Sequence, residues 1–152
     1  MHTPVCFPPI EEPPNRKEAA VAELGDAEKA LIDRPVCGWL TTIRPDGSLH
    51  STVVWTYLDG DDILVSTLVG RAKERHLRND PRISLSVLDP DDPYHALSVS
   101  ATAVLEEEGA EETLDLLAKK YLGVDVYPAR AEGDRRVNVR IRPERVFYKP
   151  GG

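Results

Sequence analysis

The sequence predicts a mainly β protein with inserted helices, folded as a small closed or half-open antiparallel barrel. Short β-branched runs follow one another along the chain, and most of them are joined by turns. Helical periodicity is confined to the N-terminal region and to two insertions. A parallel α/β sheet would instead need a helical crossover between successive strands. About six strands in one antiparallel barrel are therefore expected.

The N-terminal residues 1–14 are predicted to form a disordered tail. They contain five of the 13 prolines, and proline cannot donate a backbone hydrogen bond to a helix or a sheet. Asn15 then has capping-box spacing with the glutamate three residues later, and an alanine-rich helix is expected to end at Gly25. A second helix is predicted over 26–32. One globular domain is therefore expected over 15–152.

The remaining elements follow from turn residues and hydrophobic spacing. Asp46-Gly47 gives the strongest hairpin signal, and Asp80-Pro81 separates a helix from the strand after it. Helical spacing over 71–79 and 111–122 places one helix after the third strand and another after the fifth. The predicted strands are 36–43, 48–58, 63–67, 83–88, 94–105, 137–141 and 146–148.

Composition excludes several classes of function. The net charge of −7 argues against a surface that coats nucleic acid or anionic lipid. The chain has no apolar run of roughly 18 to 20 residues and no signal-peptide pattern, so we expect neither a membrane span nor export. The cysteines and the histidines show no disulfide framework and no metal-ligand spacing, which favours a reducing cytoplasm and predicts no metal site.

The most informative segment is a cluster of cations in this acidic chain. Five of the 19 lysines and arginines fall within residues 71–82. A predicted strand that ends in Ser66 and Thr67 leads through a glycine turn to a helix start with Arg71 and Lys73. Hydroxyl groups, helix N-terminal amides and positive charge at one point predict a phosphate site. The alternative, a solvated helix face, stays open for the other cations.

The run GRAKERHLRNDPR, residues 70–82, resembles a motif of the split β-barrel flavin and deazaflavin oxidoreductases. These proteins are related to pyridoxamine 5′-phosphate oxidase and have an FMN-binding-like fold, and the motif is that of their F420-dependent branch. Further similarity lies in GWLTT before Asp46-Gly47, in Val54-Trp55 and in RPERV at 142–146. The resemblance covers roughly residues 27–149, and its motifs agree in order with the predicted strands.

The resemblance implies a homodimer with the cofactor at the subunit interface. It implies that the phosphate tail is bound by Ser66, Thr67, Arg71, Ala72 and Lys73. It places the cofactor ring along the second strand, against His50, Thr52, Val53, Val54 and Trp55. Tyr94 and His95 lie in the loop that reaches the partner's cofactor or the substrate in such proteins.

The resemblance further implies an F420-dependent reductase that transfers a hydride to a small conjugated substrate. F420 is favoured over FMN because its tail continues beyond the phosphate into carboxylates, which Arg75 and Arg78 could meet. The alternatives are an FMN oxidoreductase and a non-catalytic flavin, heme or tetrapyrrole-binding protein. The sequence departs from the family where His76 replaces the usual Asn and where the second strand lacks the cations that bind FMN in pyridoxamine phosphate oxidases. No catalytic side chain is predicted, because the cofactor carries the chemistry.

Overall fold

Two antiparallel sheets and three helices form the described part of the chain, residues 23–152, in the computed structural model. The elements in chain order are α1 (Asp26–Asp33), β1 (Gly38–Ile43), β2 (Leu49–Val54), β3 (Tyr57–Asp59), β4 (Asp62–Leu68), α2 (Ala72–Asn79), β5 (Arg82–Leu88), β6 (His95–Thr102), β7 (Val104–Glu106), α3 (Ala110–Leu122), β8 (Arg136–Ile141) and β9 (Arg145–Pro150). The first sheet has the strand order β2-β1-β5-β6-β9, and the second has the order β3-β4-β8-β7. The predicted fold class, mainly β and antiparallel with inserted helices, is confirmed.

The hairpin predicted at Asp46-Gly47 joins β1 and β2. Gly47 has a φ of +85°, a conformation that side chains disfavour, and its amide donates to the carbonyl of Arg44. The Asp46 carboxylate accepts hydrogen bonds from the amide and the hydroxyl of Ser48. This turn fixes a register in which Ile43 pairs with Leu49 and Gly38 pairs with Val54.

The prediction of about six strands is corrected to nine in the described residues, because two of the seven predicted strand ranges are each divided between the sheets. The predicted strand 48–58 becomes β2 in the first sheet and β3 in the second. The chain crosses at Thr56, whose amide donates to the Tyr121 hydroxyl and whose carbonyl accepts from Lys120. The predicted strand 94–105 is divided in the same way at Ala103, whose amide donates to the carbonyl of Pro81. Polar groups of neighbouring elements therefore replace the sheet hydrogen bonds at both crossings.

The core lies between the inner faces of the two sheets. Because side chains alternate along a strand, every second residue of the central strands points into this space. The fully buried inward residues of the strands are Leu40, Ile63, Val65, Leu85, Val87, Leu97, Val99, Val137, Val139 and Ile141. Helix α1 adds Leu31 and Ile32 to the same core, while α3 packs on the outer face of β3, β4 and β8. The cleft described below opens beside α3.

The N-terminal predictions fall partly outside the described residues. The tail over 1–14 and most of the helix predicted from Asn15 lie within residues 1–22, which are outside them. The second predicted helix, over 26–32, is confirmed as α1. No helix within 23–152 is both long enough and apolar enough to cross a membrane.

Candidate functional site

A cleft of about 300 Å³ opens where the end of β4, the start of α2 and the side of α3 meet. It is lined by Val53, Val54, Trp55, Ser66, Thr67, Arg71, Lys73, Leu114, Leu117, Tyr127 and Arg136. Three of these residues are cations, although the chain as a whole is acidic. The other walls are hydroxyl, aromatic and aliphatic, so the cleft suits a ligand with an anionic part and an apolar part.

The structure brings most of the predicted cofactor-binding residues to this cleft. Seven of the ten line it: Val53, Val54, Trp55, Ser66, Thr67, Arg71 and Lys73. Thr52 lies beside them, since its hydroxyl accepts a hydrogen bond of 3.1 Å from Lys73 Nζ. Ala72 begins α2 and His50 lies farther along β2, and neither lines the cleft.

Lys73 is the cation that turns toward the barrel, as its position near Leu77 on the helical wheel predicts. Its side chain is partly buried, and burial together with the nearby Arg71 lowers the pKa of its ammonium group. The side chain is held by Thr52 of the neighbouring sheet rather than by a carboxylate. An anion in the cleft would supply the missing negative charge and would stabilise the charged form of Lys73.

The glycine turn before α2 is closed by a buried carboxylate that the sequence analysis did not assign. Gly70 has a φ of +91°, and its amide donates to Glu74 at 3.0 Å. That hydrogen bond, with an ion pair to Arg78, keeps the pKa of Glu74 below its usual value despite burial. The Gly70 amide is therefore not available to a phosphate. The amides of residues 72–74 have no acceptor within the helix, because the first helical bond runs from Arg75 to Arg71.

Arg78 is correspondingly less available to a ligand than the sequence suggests. Its guanidinium pairs with Glu74 one turn earlier on the same helix. Of the two additional cations assigned to a longer tail, Arg75 is exposed and no carboxylate lies within ion-pair distance of it in residues 23–152. Arg71 and Arg75 are therefore exposed at the start of α2, Lys73 turns toward the barrel, and Arg78 pairs with the carboxylate that closes the turn.

Several buried polar atoms without a hydrogen-bond partner lie at the cleft. Within residues 23–152 they are Ser66 Oγ, Thr67 Oγ1, Arg136 Nε and Asn138 Oδ1. The first three belong to cleft residues, and Asn138 pairs with Ser66 across β4 and β8. Buried polar groups usually find partners, so three such atoms around one cleft point to a polar ligand there. Two hydroxyl donors and three cations fit a phosphate group.

Four cleft residues were missed by sequence reasoning: Leu114, Leu117, Tyr127 and Arg136. Tyr127 and Arg136 flank the loop after α3, and Arg130 fixes this loop by ion pairs of 2.8 Å to Asp115 and 2.9 Å to Glu111. The Tyr127 amide also donates to Asp115. Tyr127 and Arg136 lie some sixty positions from the cation motif and form no motif themselves, and the only signal was the pair of arginines where β8 begins.

The aromatic residues at the cleft hold Trp55 in a defined orientation. The indole of Trp55 stacks on Tyr121 with ring centroids 4.9 Å apart and an interplanar angle of 5°. Tyr127 meets the indole edge-on at 6.4 Å. One face of Trp55 is thus covered by the protein itself, so Trp55 would contact a ligand by its edge or its other face.

Tyr94 and His95 lie away from the cleft. His95 bridges the Asp89 carboxylate and the Tyr148 hydroxyl, with both distances at 2.9 Å. The Tyr94 ring packs under Lys149 of β9 at 4.9 Å. Within one chain these contacts stabilise the start of β6, and the predicted contact with a partner's cofactor stays a prediction.

The histidine that departs from the family motif, His76, lies on the buried face of α2. His76 Nδ1 lies 2.9 Å from the Thr42 hydroxyl of β1, and its ring meets His50 of β2 edge-on at 5.2 Å. His50 Nδ1 in turn lies 3.0 Å from the guanidinium of Arg44. Burial first, and then His50, Arg44 and Arg75, lower the pKa of His76 from its ordinary 6.5.

We expect the stability of the fold to decrease below neutral pH partly because of His76. Above pH 6.5 the imidazole is neutral in both states; below it the unfolded chain gains a proton first, so stability falls until the lowered native pKa is reached. His76→Asn should remove this contribution. Urea unfolding measured at several pH values from about 7.5 to about 5 should show a larger decrease in the free energy of unfolding for the wild type than for the variant. Equal losses would contradict the role of His76.

Comparison with known proteins relates the chain to one family. The profile described as pyridoxamine 5′-phosphate oxidase matches residues 24–150. A solved structure named F420 reductase is 27% identical, with a TM-score of 0.71 over 82% of this chain and 98% of that one. A conserved hypothetical protein of Mycobacterium tuberculosis is 26% identical, with a TM-score of 0.71 over 90% of both chains. General stress protein 26 of Bacillus anthracis is 19% identical and shares the fold, with a TM-score of 0.66 over 84% and 94%.

Proposed function

The chain belongs to the pyridoxamine 5′-phosphate oxidase family, a premise from which we propose that it is an F420-dependent reductase acting on a small conjugated organic substrate. The observation that carries this proposal is the set of unpartnered polar atoms beside three cations in the cleft. A phosphate-bearing cofactor tail would satisfy these groups. The fold is that of flavin-type oxidoreductases, and the use of F420 rather than another such cofactor is part of the proposal.

The chain's own residues would bind and orient the cofactor. Ser66, Thr67, Arg71 and Lys73 would hold the phosphate, with Thr52 keeping the Lys73 ammonium group in place. Val53, Val54 and Trp55 would line the ring, together with Leu114 and Leu117, and would exclude water from it. When bound, the deazaflavin ring supplies the hydride-transfer chemistry. No side chain of this chain is assigned a proton-transfer role.

Two observations support F420 over FMN. The cleft has a third cation, Arg136, besides the two expected from the motif, and F420 carries more anionic groups than FMN. The similar protein named F420 reductase is matched over almost its whole length. FMN remains the alternative, because a single phosphate would also satisfy Ser66 and Thr67.

We also propose that the protein is a homodimer whose second subunit completes the site. A cleft of about 300 Å³ is too small for a ring and a tail together, so the ring would extend past Val53 at the cleft edge. On the outer face of the first sheet, Val53, Trp39, Ser86, Ser98 and Phe147 form one cross-strand row. Three of these five are large apolar side chains that are about half exposed. A second copy packed on this row would cover them and the ring. The cysteine pattern keeps a reducing cytoplasm as the proposed setting.

The test is a side-by-side titration of the purified protein with F420 and with FMN, followed by cofactor fluorescence. We expect micromolar or tighter binding of F420 and weaker binding of FMN. A preference for FMN would move the protein to the flavin branch, and binding of neither cofactor would contradict the proposed function. Binding of F420 without oxidation of the reduced form by any of a panel of conjugated enones would favour the non-catalytic alternative.

A further inference from the structure

Arg136 is a buried guanidinium with little negative charge near it. Its side chain is 10% exposed, and its ion pair, to Asp134, spans 3.9 Å. The other arginines with ion pairs in residues 23–152 are all more exposed, and each has a pair of 3.4 Å or shorter. Arg136 Nε is in addition buried without an acceptor. Burying a charge with so little compensation is costly, which indicates that an anion from outside the chain completes this site.

Arg136 lies on the opposite side of β4 from Lys73. In the β4–β8 register Leu68 pairs with Arg136 and Ser66 with Asn138, and these residues share the sheet face on which α3 packs. Thr67 pairs with the fully buried Val137 and therefore faces the barrel interior, where Lys73 lies. The end of β4 thus divides the cleft into an α2 side with Lys73 and an α3 side with Arg136.

The α3 side is preorganised. The guanidinium of Arg136 lies 5.4 Å from the centroid of the Tyr127 ring. Tyr127 is in turn fixed through its amide to Asp115, and Arg130 fixes the same loop to α3. A guanidinium held in one position offers paired donors that match the two oxygens of a carboxylate.

We propose that Arg136 recognises a second anionic group of the ligand, a carboxylate beyond the phosphate held by Arg71 and Lys73. The assignment rests on the proposed function, because F420 carries glutamyl carboxylates beyond its phosphate. Arg136 would thereby determine cofactor specificity, since a ligand that ends at the phosphate has no anionic group to pair with Arg136 on the α3 side.

The experiment compares F420 with the deazaflavin 5′-phosphate, which has the same ring and phosphate but lacks the carboxylates. Arg136→Gln should weaken F420 binding about tenfold and leave the truncated ligand within about twofold of wild type. The affinity of Arg136→Lys for F420 should lie between those of the wild type and Arg136→Gln, because an ammonium group keeps the charge but loses the paired donors. Arg135→Gln is the matched control, since Arg135 is exposed and pairs with Glu107.

Stability of the ligand-free protein separates this role from a structural one. Removing an uncompensated buried charge should leave the melting temperature of Arg136→Gln unchanged or raise it. A marked drop in melting temperature would show that Arg136 serves the fold and would overturn the proposal. Equal losses of affinity for F420 and for the deazaflavin 5′-phosphate would also overturn it, because Arg136 would then bind the phosphate that both ligands share. A wild type that binds neither ligand would contradict the proposed function itself, whichever variant is tested.

Discussion

Replacing Lys73 with methionine is expected to lower the affinity for F420 by about 100-fold, or about 2.7 kcal/mol. Lys73 is the cleft cation that points toward the barrel, and it is held by Thr52 without a carboxylate to offset its charge. Its interaction with a phosphate is therefore charge-assisted and partly shielded from water, which makes it stronger than a surface contact. Methionine keeps the length and the apolar stem of lysine, so the change removes mainly the ammonium group. Fluorescence titration with F420 measures the loss.

Arg75→Met is the matched control for this prediction. Arg75 lies on the same helix and carries the same charge, but it is exposed. Screening by solvent and salt should limit its effect on affinity to about twofold or threefold. If both variants lost the same affinity, the helix would act only through its overall charge. If Lys73→Met bound F420 like the wild type, the phosphate would lie elsewhere.

The sequence was sufficient for the fold class because strand-forming runs and turn residues agree along the chain. Asp46-Gly47 and the register it sets, the position of α2 and the position of α3 all follow from local patterns. The division of two long strands between the sheets does not follow from local patterns. At Thr56 the sequence continues to favour a strand, and only the hydroxyl of Tyr121 and the ammonium group of Lys120, both distant in sequence, make the crossing favourable.

The same distinction between local and long-range information applies to the site. Ser66, Thr67, Arg71 and Lys73 lie within eight positions, and the strand, turn and helix that hold them could be predicted together. Tyr127 and Arg136 reach the cleft only because α3 packs on the second sheet and Arg130 fixes the loop that follows. No periodicity in that loop predicts its path.

The sequence also does not show when a side chain of the protein occupies a backbone donor that a ligand could otherwise use. The turn at Gly70 has the form of a phosphate loop, yet its amide is taken by Glu74, which also binds Arg78. A carboxylate four residues after the glycine could equally have pointed to solvent. The distances in the structure were needed to decide which donors a ligand can use.

The hydroxyl of Tyr121 holds the crossing between the sheets, and Tyr121→Phe is expected to lower the free energy of unfolding by about 2 kcal/mol. Burial raises the pKa of Tyr121, so the hydroxyl stays protonated and can donate. It donates to the Val36 carbonyl at 2.6 Å and accepts from the Thr56 amide at 3.0 Å. Phenylalanine would leave both backbone groups buried without these partners, which costs more than the loss of an exposed hydrogen bond.

The variant also separates stability from binding. Phenylalanine retains the ring that stacks on Trp55, so the cleft wall and the affinity for F420 should change little. Tyr57→Phe is the control, because it removes a hydroxyl from the adjacent strand β3 without touching the crossing. Urea unfolding followed by tryptophan fluorescence should show a lower midpoint for Tyr121→Phe alone. Equal midpoints for the two variants would mean that the crossing is stabilised chiefly by Lys120, whose ammonium group donates to the carbonyls of Ile32 and Thr56.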